Sequence, residues 1–210
     1  MTEDDFFKKI KMQMESARNL KEGNAGFNIK RGMAHVMSGY AEDLFAVYMA
    51  EKFNRKEFQF LVDKVISYER PSDKRVKSFK PDLFVSNHNI MTHYFDLKTN
   101  LGYNREMHKD YLDKKNDFIK SLRGQSAWIK FAENDENPES VQQIRISEKI
   151  KYQIVVIWGW NINKNDLQKN IDIAEKLDCI ELYVLAENLD NINMDDFHRL
   201  HKDSMELIQN

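Results

Sequence analysis

Apolar positions recur along the chain with two periods. Phe6, Phe7, Ile10, Met14 and Ala17 fall at helical spacing and predict a first helix from Asp4 to about Lys21. Gly23-Asn24-Ala25-Gly26 breaks it. Met33, Val36, Met37, Leu44, Val47 and Tyr48 predict a second helix over 33–53. Gly39 inside it costs about 1 kcal/mol relative to Ala, which points to a close approach of another backbone. The period then shortens. Phe58, Phe60 and Val62 alternate and Val65 and Ile66 follow, so 57–70 reads mostly as strand. Pro71 and the charged run to Lys80 predict a loop. Two apolar strands come next, Pro81 to Val85 and His93 to Lys98, joined by a loop expected over 87–91. The remainder reads as a helix over 104–123, a polar loop over 132–140 and a strand over 152–160 buried on both faces. A helix over 166–177, a strand over 180–186 and a helix over 194–208 complete it. This order predicts an α/β fold, with a mixed sheet of about five strands flanked by helices.

Composition sets bounds on this picture. The 210 residues are 41% hydrophobic and 31% charged, which predicts one domain over 1–210 with a real core. No apolar run approaches the ~18 residues of a membrane span, and Cys179 is the only cysteine. The first five residues are acidic, unlike a signal peptide. A cytoplasmic protein with no membrane partner is expected.

The net charge of −2 hides an uneven distribution. Residues 54–130 carry net +6 and residues 131–210 carry net −8. A basic segment is expected when the ligand is a polyanion. The same segment contains Asp82, Asp96 and Lys98.

Those three residues suggest chemistry. Side chains alternate along a strand, so Tyr94, Asp96 and Lys98 share a face, away from Phe95 and Leu97, with Asp96 and Lys98 roughly 7 Å apart. Asp82 is expected directly across from Asp96. Two facing carboxylates repel unless a cation lies between them, and hard oxygen ligands suit Mg²⁺. A lysine beside a bound dication is pushed towards its neutral form, in which it could orient or deprotonate a water. Glu42, on the second helix with His35 and Ser38 on the same face, offers a third carboxylate. A second acidic-lysine triplet, Asp113-Lys114-Lys115, reads as a solvated helix face.

At these residues the chain resembles nucleases of the PD-(D/E)XK superfamily, the fold of most type II restriction endonucleases. The resemblance covers about 33–186, leaving helical additions at both ends. It implies a restriction-endonuclease-like core in which Asp82 is the aspartate of the first half-motif, Asp96 the acidic position and Lys98 the lysine. Glu42 matches the acidic residue of the first core helix, and the Leu97 backbone carbonyl would complete the metal shell. The activity implied is Mg²⁺-dependent hydrolysis of double-stranded DNA at a specific sequence by a homodimer, with Mn²⁺ as a substitute metal. Lys77, Lys80, Asn100, Asn104, Arg105 and Lys109 are then candidate DNA contacts. Two alternatives stay open: a structure-selective, repair or transposon-type nuclease of the same fold, and a catalytically silent DNA-binding α/β module.

Other motifs carry less. His198 and His201 stand three apart without a further Cys or His nearby, which favours a structural role. No phosphate-cradling glycine loop and no Gly-x-Ser-x-Gly turn is present.

Overall fold

The computed structural model describes residues 1–22, 37–70, 72, 74–100, 108–131, 140–159, 162–188 and 191–208. The chain runs α1 (Glu3–Glu22), α2 (Ser38–Phe53), β1 (Phe58–Val62), β2 (Ile66–Glu69), β3 (Val76–Phe79), β4 (Leu83–Asn87) and β5 (Ile90–Lys98). It continues with α3 (His108–Leu122), β6 (Ser126–Phe131), β7 (Ser140–Ile146), β8 (Tyr152–Val156), α4 (Lys164–Ala174) and β9 (Ile180–Val184). The short pair β10 (Ala186–Asn188) and β11 (Asn191–Ile192) precedes α5 (Met194–Ile208).

The α/β class holds, but among the described residues the main sheet has nine strands rather than about five. A five-strand path does run through it. β1 and β5 flank β4 in antiparallel register, and β5, β8 and β9 run parallel. The extra strands β7, β6, β2 and β3 form a second leaf. β5 is long enough to serve both, pairing β7 at Ile90 and Met91 and β8 from Tyr94 to Lys98.

Local geometry explains the departures. The expected strand over 57–70 breaks at Asp63, whose φ of 52° turns the chain out of line. β1 therefore stays beside β4, while β2 joins the second leaf. The expected loop over 71–80 contains β3, which buries only Phe79 and is held by pairing with β2. An edge strand with one inward side chain leaves almost no alternating pattern. Among the described residues, a Cβ built at Gly39 meets nothing within 4 Å, so none of their backbones approaches it closely.

Both sheet faces are covered. α1, α2 and α5 bury one face around Phe6, Phe45, Tyr48, Phe95 and Phe197. α3 and α4 cover the other, where Leu112, Ile119 and Ala174 meet Ile154, Leu182 and Val184. β8 alternates between these cores: Val155 faces the first, and Tyr152, Ile154 and Val156 face the second. That is the two-sided burial expected of a central parallel strand. Among the described residues, no helix is long and apolar enough to cross a membrane.

Candidate functional site

The β4–β5 hairpin sets the site. Its turn is shorter than the expected 87–91 loop, with His88 at φ 46° and Asn89 at φ 64°. Two consecutive positive φ values fit a two-residue turn whose twist matches the strands. Such a turn pairs Asn87 with Ile90 and Ser86 with Met91. The register then shifts by one residue, so that Val85 pairs His93 and Leu83 pairs Phe95. One further step puts Asp82 across from Asp96.

The shift decides which face Asp82 occupies. Without it, Asp82 would oppose Phe95 and share the face of the α1–α2–α5 core. With the extra residue, Thr92, taken up as a bulge, Asp82 and Asp96 share a face. His93 steadies the bulge from within that core. Its Nε2 lies 2.9 Å from the Ser204 carbonyl and its Nδ1 2.8 Å from the Thr92 hydroxyl. Burial pushes the His93 pKa down to about 4. The ring is therefore neutral, with Nε2–H donating to the Ser204 carbonyl, and Nδ1 sharing the Thr92 hydroxyl with the Val85 carbonyl 3.1 Å from it.

Asp82 and Asp96 differ in their partners. Asp82 Oδ2 accepts the Leu97 backbone N–H at 2.6 Å. Burial and the Asp96 charge nevertheless hold its carboxyl above the usual carboxylate range. Lys98 Nζ stands 2.7 Å from Asp96 Oδ2. That oxygen is sealed from solvent. Burial works against the Lys98 charge, but the neighbouring Asp96 outweighs it and keeps the ammonium above its ordinary pKa. With no cation bound, Lys98 is thus the positive partner of Asp96 and holds its proton.

Leu97 has its backbone turned towards Asp82. The Lys98 carbonyl accepts from Ile157 N–H at 2.8 Å, on the β8 side. Alternation of peptide groups then directs the Leu97 amide and carbonyl to the opposite side, towards the end of β4. The set of donors suits a hard cation: two carboxylates, one buried and ion-paired with Lys98, beside a main-chain carbonyl. Mg²⁺ ordinarily completes such a set with water.

Glu42 is less closely engaged. It lies on α2, which packs on the face opposite Asp96 and Lys98. Burial, then Asp82 and Asp63, raise its pKa, so it approaches the site around the end of β4. Among the described residues, no three carboxylate, imidazole or thiol groups gather closely enough to hold a metal by themselves.

The expected nucleic-acid contacts are scattered. Lys80 is exposed and ion-paired with Asp63 at 2.5 Å, close enough to Asp82 and Glu42 for both to raise its pKa. Lys77 is exposed on the edge strand β3, and Lys109 is exposed on α3. Asn100 is half-buried just beyond β5. Asn104, Arg105 and His35 lie outside the described residues.

The face carrying Asp96 and Lys98 is also less open than strand alternation suggests, because α3 covers it. Tyr94 is buried there, stacked on Phe79 with ring centres 5.7 Å apart. Lys115, expected on a solvated face, instead lies over the Tyr152 ring at 4.8 Å and the Tyr111 ring at 5.6 Å. Burial lowers its pKa, which nearby Asp96 partly restores. The Tyr111 and Tyr152 hydroxyls meet at 2.6 Å. The i, i+4 spacing of Tyr111 and Lys115 was the available signal for this pairing.

No family model, curated protein or solved structure matches the chain.

Proposed function

We propose that the chain is a Mg²⁺-dependent DNA endonuclease with a restriction-endonuclease-like core, cutting phosphodiester bonds at the Asp82–Asp96–Lys98 site. The supporting observation is the bulged register that sets Asp82 opposite Asp96, with Lys98 beside Asp96. Asp82, Asp96 and the Leu97 carbonyl would hold the cation. Its charge would offset their repulsion and stabilise negative charge building up on phosphorus. Mn²⁺ would serve in its place.

Each side chain then has a distinct task. The Leu97 amide fixes the Asp82 carboxylate. Asp96 positions the Lys98 ammonium in the resting protein. Once the carboxylates are neutralised, Lys98 loses the countercharge that raises its pKa and can orient or deprotonate the attacking water. Glu42 adds negative charge at the outer side of Asp82. Because each chain supplies one site, cutting both strands of a palindrome calls for a homodimer. A site-specific restriction enzyme of the cytoplasm is the form this reading favours.

Incubation of the chain with phage DNA and Mg²⁺ tests it. Discrete fragments support a type II enzyme, and a smear supports a nonspecific nuclease. Intact DNA with either Mg²⁺ or Mn²⁺ rejects the nuclease reading in favour of a silent binding module. A structure-selective nuclease is the second reading, supported by the aromatic surroundings of Lys115.

A further inference from the structure

A cleft of about 480 Å³ opens between the end of β3 and α3. Phe79 and Lys80 form one wall, and Tyr111, Lys114, Lys115 and Phe118 form the other. Tyr94 lies at its floor, two residues before Asp96 on the same strand face. The cleft therefore adjoins the carboxylate pair. The charges of Asp96, Lys98 and Asp82 all reach the Tyr111 hydroxyl.

Its composition combines two kinds of group. Phe79 and Phe118 meet edge to face at 5.6 Å, a packed aromatic wall. Tyr111 and Phe118 are only half-buried, so part of each ring borders the opening. Lys114 and Lys80 are exposed at the rim, Lys80 paired with Asp63, and the half-buried Lys115 ammonium lies deeper among the rings. An apolar ligand would leave the cations without purpose, and a bare anion would leave the rings without purpose. A nucleotide uses both, because a base stacks on an aromatic ring while its phosphate meets lysine. A base within an intact duplex presents its edges rather than its faces, so ring stacking requires an unpaired one.

Building on the nuclease reading, we infer that this cleft takes one unpaired nucleotide of a DNA strand, its base against Tyr111 and Phe118 and its phosphate on Lys114 and Lys115. The scissile phosphate would then lie next to a single-stranded position. Substrates with a tail, flap or extruded base would be favoured over a blunt duplex.

Fluorescence anisotropy with labelled oligonucleotides tests this, with Ca²⁺ in place of Mg²⁺ to hold the substrate intact. A duplex with a single-stranded DNA tail is compared with a blunt duplex of the same sequence. The tailed duplex is expected to bind about 5- to 160-fold more tightly, the range of one base–aromatic stack. Tyr111→Ala is expected to bring the tailed affinity down to the blunt value. Lys114→Glu, at an exposed position that packing does not need, is expected to weaken tailed binding as well. Equal affinity for the two duplexes, no binding of either, or a tail preference surviving both substitutions overturns the inference. A tail preference lost in both variants supports it even if Mg²⁺ produces no cleavage, in which case the nuclease reading alone fails.

Discussion

The Leu97 backbone amide donates to the Asp82 carboxylate across 2.6 Å, tying the entrance of β4 to the strand that carries Asp96 and Lys98. This bond holds Asp82 towards Asp96 although burial and like charge both disfavour its ionised form. A pair kept together against repulsion is poised to gain from a cation.

Divalent cations should stabilise the fold through this pair. At a concentration ten times Kd, Ca²⁺ is expected to add about 1.4 kcal/mol. That is about 3–6 °C in Tm for a chain of this size. Asp82→Asn and Asp96→Asn should each abolish the shift in thermal melts. Because Asp82 is held above the usual carboxylate range, protons compete with the cation there. Calorimetric titrations should therefore show tighter Ca²⁺ binding at pH 7.5 than at pH 5.

Removing the lysine should separate binding from chemistry. Lys98→Ala is expected to lower the single-turnover cleavage rate by about 10²–10⁴-fold, the usual contribution of a positioned acid or base. The Ca²⁺-induced Tm shift should remain. Full cleavage activity in Lys98→Ala would remove Lys98 from the mechanism.

Stability should depend on pH through His93. Its folded pKa is depressed to about 4 from an ordinary 6.5. Between those values the unfolded chain binds the extra proton, so stability is complete above pH 6.5 and falls as pH drops towards 4. Such a shift corresponds to about 3 kcal/mol at full extent. Urea unfolding at pH 7 and pH 5 measures it. A His93→Gln variant, which cannot take up the proton, should show a flatter profile.

The turn should be equally sensitive to backbone chemistry. Asn89 sits at φ 64°, a conformation that costs a β-branched residue about 1–2 kcal/mol. Asn89→Val should reduce stability by that amount in urea unfolding, and Asn89→Gly should leave it nearly unchanged. If Asn89→Val is as stable as the parent, the positive-φ turn is not what fixes this hairpin.

Strong periodic segments were legible in the sequence because their side chains carry their own address. The helical stripe of Phe6, Phe7 and Ile10 gave away α1, and the nearly all-apolar run from Tyr152 to Val156, broken only by Gln153, gave away β8. β3, β6 and β7 were not legible in the same way. β3 buries one side chain, so its strand conformation comes from backbone pairing with β2, and that pairing is non-local. The error at Lys115 has a related cause. Its charge suggests water, yet its aliphatic stem and ammonium lie among rings supplied by β5 and β8 as well as by α3.

The sequence by itself determined that Asp96 and Lys98 share a strand face, because alternation is a property of the single strand. It also determined that a carboxylate precedes the neighbouring strand. A loop over 87–91 would also have put Asp82 across from Asp96, but only the tertiary structure decided how it gets there. A two-residue turn alone would have placed Asp82 across from Phe95, and the bulge at Thr92 reverses that parity. The same holds for Glu42, which helix packing carries to the far side of the sheet, and for the aromatic cleft, whose walls are separated in sequence. Facing and layering depend on which segments meet, and that energy resides in long-range contacts that no local pattern encodes.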